Sequence, residues 1–240
     1  MNVVNFTIIG YMHSPYQEKF GIPRQPNLVD VESYIEMIEP YNDLLAFEGI
    51  ETFSHIWLIW QFHENKNQND RNEFRPQVRP PRLGGNKKIG IFATRSMYRP
   101  SPVGLSVVKI KEVKKIGKAV RLYVTGSDLL NGTPIIDIKP YIQYSDAVIY
   151  AESGYAQEEQ MRKEIIWAED AELEAKELLI NEKITRQMMT ELEQVLSLDP
   201  RPAYQNDEQR IYGMKLFHLD IKFKVIKNKI FIVKLVNYNK

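Results

Sequence analysis

The first two thirds of the chain alternate short apolar runs with polar breaks, a pattern that is typical of β-strands. Five such runs are separated by segments that contain Gly or Pro, namely Thr7–Met12, Phe53–Phe62, Lys88–Thr94, Val103–Val113 and Ala119–Thr125. β-Branched and aromatic residues fill Phe53–Phe62, which predicts a strand buried on both faces. Ser33–Ile38 is interpreted as a helical turn. Closely spaced strands without amphipathic helices between them favour an antiparallel barrel or a sandwich.

The pattern changes near Ala151. Glu158–Ser197 is rich in Glu, Ala, Leu, Lys and Met, which favour helices, and apolar residues from Ile184 to Val195 are spaced for one helical face. Lys215–Val225 and Ile230–Val236 predict two strands joined by a turn. The chain is therefore predicted to be mainly β, with an antiparallel β-barrel domain at residues 1–150 and a smaller α+β domain at residues 151–240.

Composition narrows the class of protein. The 240 residues are 43% hydrophobic and 26% charged, which suits a globular protein that buries a sizeable core. The absence of cysteine excludes disulfides, thiolate nucleophiles and Cys-ligated metals. No apolar run approaches the length of a membrane span and no signal peptide is recognisable, so a cytoplasmic protein with no membrane partner is expected.

Charge is separated along the chain although the formal net charge is only +1. Lys66–Arg99 and Lys215–Lys240 are strongly basic, whereas Glu152–Gln194 is strongly acidic. On charge alone, two solvated faces of opposite sign explain this pattern, but a polyanionic partner stays open. The four histidines have no metal-ligand spacing, so no metal site is predicted. The Gly-rich fingerprints of Rossmann and P-loop nucleotide sites are missing.

One stretch, from Arg79 to Ser106, combines glycines and prolines with six basic residues. Prolines restrict the backbone, glycines let it approach a ligand closely, and arginines on such loops suit phosphate or carboxylate. From the residues alone, tight turns carrying solvated arginines explain the stretch as well as a ligand site does.

The motifs in this stretch closely resemble those of the TsaA-like (TrmO-type) tRNA methyltransferases. Arg79–Asn86, Gly90–Ser96 and Arg99–Ser106 resemble successive parts of the family signature, and further similar segments follow in order along almost the whole chain. These other segments are Ile9–Pro26, Glu48–His63, Asp128–Tyr141 and Asp199–Met214. Two positions depart from the family pattern: Ser101 stands where Asn is usual, and Asn131 stands where Asp is common.

The resemblance implies a homodimeric β-barrel enzyme that uses S-adenosylmethionine to methylate N6 of N6-threonylcarbamoyladenosine, next to the anticodon of tRNA, with threonine tRNA as the expected substrate. It also implies a composite cofactor site, made of Pro23, Arg24, Gln25, His63, Glu64, Arg95, Leu105, Asp128, Leu129, Leu130 and Asn131.

Methylation of a carbamoylated nitrogen requires loss of its proton, for which a carboxylate can act as general base. Asp128 and Asp137 are the candidates, although Asp128 can equally cap a turn. The anticodon loop offers phosphates and unstacked bases. Its candidate contacts are Arg79, Arg82, Lys87, Lys88, Tyr98 and Arg99, with Tyr16 and Tyr204 as residues that can either contact RNA or pack. A non-catalytic RNA- or nucleotide-binding barrel and a methyltransferase for another modified base stay open as alternatives.

Overall fold

The computed structural model describes residues 4–65, 74–202, 205 and 207–238. Twelve strands lie in these ranges: β1 Gly10–His13, β2 Glu32–Met37, β3 His55–Gln61, β4 Gln77–Val78, β5 Ile89–Gly90, β6 Val103–Ile116, β7 Ala119–Thr125, β8 Pro134–Pro140, β9 Glu164–Trp167, β10 Tyr212–Leu216, β11 Leu219–Ile226 and β12 Lys229–Asn237. The α-helices are α1 Gln143–Asp146, α2 Glu169–Ile180 and α3 Arg186–Ser197. The prediction of a mainly β chain is confirmed.

Six strands form one antiparallel sheet in the order β1-β2-β7-β6-β3-β8, and β8 pairs back with β1 so that the sheet closes. Alternate residues of each strand point into this closed sheet and form its core, for example Ile56 and Leu58 on β3 and Leu122 and Val124 on β7. β3 is buried on this side only, because the residues between its buried positions are half-buried. The prediction of a strand buried on both faces was therefore wrong.

The predicted helical turn at Ser33–Ile38 was also wrong, because this segment lies in β2. Burial along β2 alternates residue by residue, with Ser33, Ile35 and Met37 buried. β2 pairs with both β1 and β7, so the inward side chains and the two hydrogen-bonded neighbours select the strand.

Two predicted strands have different bounds. Lys88–Thr94 contains only the short strand β5, after which Ile91–Ala93 forms a 3-10 turn that buries Ile91. Lys215–Val225 spans the end of β10 and most of β11, because the chain reverses at Phe217 with a left-handed φ of 56°. The predictions for Val103–Val113, Ala119–Thr125 and Ile230–Val236 are confirmed within three residues at each end.

A second sheet has the order β10-β11-β12-β9, with β9 parallel to β12. α2 and α3 pack on one side of it, and Leu192 and Val195 of α3 are buried as the helical spacing predicted. The N-terminal segment also contributes to this core through Tyr16, Val29 and Val31. The segment between β1 and β2 therefore connects the two cores physically. None of the described helices has the length and apolar character needed to cross a membrane.

Candidate functional site

Asp128 lies in the loop that follows β7, at one end of the closed sheet. Gly126 starts this loop with a φ of 81°, and a Cβ at Gly126 would lie 2.4 Å from Oδ1 of Asn27. The Ser127 hydroxyl accepts a hydrogen bond from the Leu129 backbone N–H at 3.2 Å. These contacts explain why glycine is needed in this tight loop and how the backbone around Asp128 is held in place.

The Asp128 carboxylate accepts a 2.6 Å hydrogen bond from the Ser106 hydroxyl on β6. Ser106 is buried and in turn accepts a hydrogen bond from the indole Nε1 of Trp60 at 3.1 Å. Burial raises the pKa of Asp128 to about 6, while the Ser106 hydrogen bond, a backbone hydrogen bond and the positive charge of Arg95 oppose this rise. Asp128 is thus largely ionised at neutral pH and close enough to its pKa to exchange a proton.

Arg95 acts on this carboxylate through its charge, and it also contacts the segment that carries Arg24 and Gln25. Nη1 of Arg95 donates to Oε1 of Gln25 at 2.5 Å, and the charge of Arg95 influences the ionisation of Asp128. Nη2 of Arg24 donates to the backbone carbonyl of Arg201 at 3.0 Å. Pro23 is buried beside the exposed Arg24. The structure therefore places the guanidinium of Arg95 near the Asp128 carboxylate and the amide of Gln25 against that guanidinium.

The loop from Leu129 to Asn131 serves this site mainly through its backbone. The Leu129 and Leu130 side chains are buried, and the Leu129 carbonyl accepts a hydrogen bond from the Ser14 hydroxyl at 2.7 Å. Oδ1 of Asn131 accepts from the Ser14 backbone N–H at 3.2 Å, and the Asn131 N–H donates to Tyr16. Asn131 thus anchors the loop to the segment after β1 through a side-chain oxygen that accepts, which an amide and a carboxylate both provide.

His63 and Glu64 follow β3 and are exposed. Lys19 donates to the Glu64 backbone carbonyl, which holds this pair beside the N-terminal segment that carries Gln25. Partial desolvation of the ring lowers the pKa of His63, with the charge of Lys19 acting in the same direction and Glu64 opposing it. His63 is therefore predominantly neutral at pH 7.

Leu105 and Asp137 do not face the same way as Ser106. Leu105 pairs with Ile59 on β3, and Ile59 pairs with Asp137 on β8, so the three form one row across the outer face of the sheet. Leu105 is 53% exposed, and Asp137 forms an ion pair with Lys139 at 2.8 Å. The structure separates Asp137 from Asp128 by placing it on the opposite face from the Ser106 hydroxyl.

The basic loops present most of the predicted RNA contacts to solvent. The exposed members are Arg79, Arg82, Lys87, Lys88 and Tyr98. Arg99 differs, because Nη1 donates to the carbonyls of Thr94 at 2.5 Å and Ile91 at 3.4 Å. Its guanidinium also lies 5.9 Å from the centre of the Phe92 ring. Arg99 thus stabilises the 3-10 turn at Ile91–Ala93, a role that the sequence pattern does not show.

Two exposed aromatic residues near these loops were missed by the sequence analysis. Phe74 and Phe92 are 58% and 72% exposed, and their rings stack with centres 6.1 Å apart. Phe92 belongs to the motif stretch, but only its unusual exposure distinguishes it from a core residue. Of the two alternatives left open for Tyr16, the structure supports packing, because Tyr16 is 1% exposed and lies in the second core. Tyr204 lies outside the described residues.

Across the described ranges, no group of three or more His, Cys, Asp or Glu side chains is placed to hold a metal ion.

Comparisons with known proteins match this chain over nearly its whole length. Residues 11–147 match the model of the tRNA-methyltransferase O N-terminal domain, and residues 160–238 match that of the TrmO C-terminal domain. The chain is 41% identical over 228 residues to the tRNA (adenine(37)-N6)-methyltransferase of Escherichia coli, with 94% of each chain covered. It is 44% identical over 216 residues to a putative S-adenosylmethionine-dependent methyltransferase, RcsF, of Pseudomonas aeruginosa, with 89% of each covered. A crystal structure of TrmO from P. aeruginosa superposes with a TM-score of 0.79 at 32% identity, covering 99% of this chain and 98% of the other.

Proposed function

Because the chain belongs to the tRNA-methyltransferase O family, we propose that it is an S-adenosylmethionine-dependent methyltransferase that acts on N6 of adenosine 37 in tRNA. The observation that carries this proposal is the convergence of Gln25, Arg95 and Asp128, which come from three distant parts of the chain. We propose further that the acceptor is N6-threonylcarbamoyladenosine, next to the anticodon, with threonine tRNA as the substrate.

The residues at the site fit S-adenosylmethionine. This molecule carries a carboxylate, hydroxyl groups and two cationic centres. The guanidinium groups of Arg24 and Arg95 and the amide of Gln25 match a carboxylate or hydroxyls, while the Asp128 carboxylate matches a cation or a hydroxyl. The remaining proposed cofactor contacts are Pro23, His63, Glu64, Leu129, Leu130 and Asn131, together with Leu105, which we propose reaches the cofactor from the outer face of the sheet. When bound, the cofactor supplies a methyl group already activated by its sulfonium.

The protein's own contribution is positioning and proton removal. Holding the acceptor in line for transfer lowers the barrier by restricting its motion before reaction. Asp128 is the better of the two candidate bases, since its pKa near 6 leaves it ionised at pH 7 yet basic enough to accept the N6 proton. Ser106, fixed by Trp60, orients this carboxylate. Asp137, paired with Lys139 on the outer face, is the weaker candidate.

The exposed basic residues form the proposed tRNA contact. Arg79, Arg82, Lys87 and Lys88 carry charge for phosphates, and such contacts give affinity that falls steeply with salt. Tyr98, together with the stacked pair Phe74 and Phe92, offers exposed rings on which unstacked loop bases can lie. Arg99 was proposed as a further contact from the sequence, but its bonds to Thr94 and Ile91 favour a supporting role.

The organisation of the protein completes the proposal. We take the closed six-stranded sheet within residues 1–150 as the β-barrel methyltransferase domain and residues 151–240 as its smaller companion domain. Tyr144, Val148, Ile149 and Tyr150 are at least 71% exposed, and a cluster of apolar residues at this level of exposure favours a protein interface. This segment supports a homodimer in the cytoplasm, where tRNA is available.

Transfer of a labelled methyl group tests the function. Purified protein is incubated with S-adenosylmethionine labelled in the methyl group and with tRNA that either carries or lacks the threonylcarbamoyl group. Label in only the carrying tRNA is the expected result. Equal labelling of both would indicate another acceptor, and tRNA binding without any labelling would favour a non-catalytic RNA-binding protein.

A further inference from the structure

The turn after α3 has an unusual backbone. The Asp199 N–H donates to the Leu196 carbonyl at 2.9 Å, and Asp199 itself has a left-handed φ of 50°. Aspartate tolerates this conformation better than most residues do, and Pro200 then prevents the helix from continuing. The chain is thereby turned back towards the N-terminal segment in a defined geometry.

The Asp199 carboxylate accepts two hydrogen bonds from the guanidinium of Arg201. Oδ1 accepts from Nε of Arg201 at 2.8 Å, and Oδ2 accepts from Nη2 at 2.9 Å. Lys163 lies 3.6 Å from Oδ2, and the Arg201 guanidinium lies 5.6 Å from the centre of the Tyr212 ring. Arg201 is only 8% exposed. The Arg201 side chain therefore stabilises the turn and is not accessible to a phosphate group in solvent.

This geometry fixes the position of the backbone carbonyl of Arg201. The carbonyl of Arg201 accepts the hydrogen bond from Nη2 of Arg24 at 3.0 Å, between residues 177 positions apart. Within the described residues this is the hydrogen bond that ties the side chain of Arg24 to the rest of the protein. The next residue, Gln25, accepts from Arg95, whose charge acts on Asp128. A chain of contacts thus leads from the C-terminal domain to the proposed cofactor site.

We infer that Asp199 and Arg201 are positioning residues, which hold Arg24 in the conformation that contacts S-adenosylmethionine. The inference rests on the proposed function, because that function assigns Arg24 to the cofactor. An arginine loses much rotamer freedom on binding a ligand, and a prior hydrogen bond to a rigid carbonyl reduces this loss. The C-terminal domain thereby contributes to cofactor affinity in the barrel without touching the cofactor.

The test is calorimetric titration of the full-length protein with S-adenosylmethionine. Asp199→Asn keeps the shape of the side chain but removes its charge and half of the fork to Arg201. Loss of one such hydrogen bond is expected to raise the cofactor Kd about three- to tenfold. The rate of methyl transfer at saturating cofactor should change less than about twofold. The matched control is Glu164→Gln, which removes the ion pair between Glu164 and Lys229, 3.0 Å apart in the same domain. This control should leave the cofactor Kd unchanged.

A double-mutant cycle distinguishes positioning from a general loss of structure. In an Arg24→Ala background, Asp199→Asn should have no further effect on Kd, because its route to the cofactor is gone. Additive effects of the two changes would overturn the inference. So would an unaltered Kd in Asp199→Asn. If Asp199→Asn unfolds below the assay temperature, Arg24→Lys breaks the contact from its exposed side, and a wild-type Kd in that variant overturns the inference equally.

These outcomes separate the inference from the proposed function. Wild-type protein that binds no S-adenosylmethionine overturns both. Wild-type binding together with weakened binding by Arg24→Ala, but not by Asp199→Asn, supports the proposed function and overturns this inference alone.

Discussion

Asp128→Asn is expected to stabilise the folded protein at neutral pH while abolishing its proposed activity. Burial raises the pKa of the Asp128 carboxyl from 3.8 to about 6. Each pH unit of difference between the folded and unfolded pKa corresponds to about 1.4 kcal/mol. Keeping this carboxylate ionised therefore costs the folded state roughly 3 kcal/mol above pH 6. Asparagine has the same shape and an oxygen that can still accept from Ser106, but it carries no charge.

The sign of the pH dependence follows from the raised folded pKa. Well below the unfolded pKa of 3.8 the carboxyl is protonated in both states, and the folded protein has little penalty. The penalty grows as the pH rises from about 4 to about 6, because only the unfolded carboxyl ionises freely in this range, and it levels off above the folded pKa of about 6. The stabilisation by Asp128→Asn should consequently approach roughly 3 kcal/mol at pH 7 and shrink below about 1 kcal/mol at pH 4.

Urea unfolding of both proteins at the two pH values measures this difference. Asp137→Asn is the matched control, because Asp137 is half-exposed and ion-paired with Lys139, so no stabilisation is expected. The reasoning would be refuted if Asp128→Asn were less stable than the wild type at pH 7. It would also be refuted if the free energies of unfolding of the two proteins differed by the same amount at pH 7 and pH 4. Either result would mean that the buried carboxyl is not strained in the folded protein.

The ionisation of Asp128 should also govern the rate of methyl transfer. If Asp128 is the base, kcat/KM falls about tenfold per pH unit below about pH 6. Ser106→Ala removes a hydrogen bond that lowers this pKa, so the midpoint of the profile should move to higher pH. An unchanged midpoint in Ser106→Ala would show that another group controls the profile.

Three further predictions follow from the geometry. Gly104→Ala should lower the free energy of unfolding by about 1–3 kcal/mol in urea titrations, because its Cβ would lie 2.3 Å from the indole of Trp60. Gly90→Ala is the control, because a Cβ at Gly90 meets nothing within 4 Å. Arg95→Ala should weaken S-adenosylmethionine binding in calorimetry more than tRNA binding in filter assays, and equal cofactor affinity would contradict this. Arg82→Gln should reduce the slope of log affinity for tRNA against log salt concentration by about 0.7–0.9, and an unaltered slope would exclude a phosphate contact.

Several features of the fold were predictable because they depend on local sequence. β6, β7 and β12 carry β-branched residues at regular spacing, and their strands lie where the pattern placed them. Ser33–Ile38 was misassigned because six residues are too few to distinguish a helical from a strand period. Its pairing with β1 and β7, which decides the matter, involves residues far along the chain. Phe217 illustrates a different failure, since it reverses the chain in a conformation that phenylalanine seldom adopts.

The candidate site likewise has features that could be predicted from local sequence and features that depend on tertiary contacts. The motifs identified the family because the chemistry requires particular residue types in a particular order, and these can be read directly from the chain. They did not distinguish Asp128 from Asp137, because the two differ in environment rather than in identity. Only the paired strands place Asp137 on the outer face and Asp128 against Ser106.

The sequence by itself determined the mainly β character, the family motifs and the residue types available for binding and proton transfer. The tertiary structure decided which arginines are free to meet a ligand. Arg82 and Arg99 belong to the same motif stretch, yet Arg82 is exposed and Arg99 holds backbone carbonyls. It also linked Arg201 to Arg24 and raised the pKa of Asp128 to about 6. Burial, charge proximity and hydrogen-bond partners depend on contacts between residues distant in sequence, and folding alone brings these together.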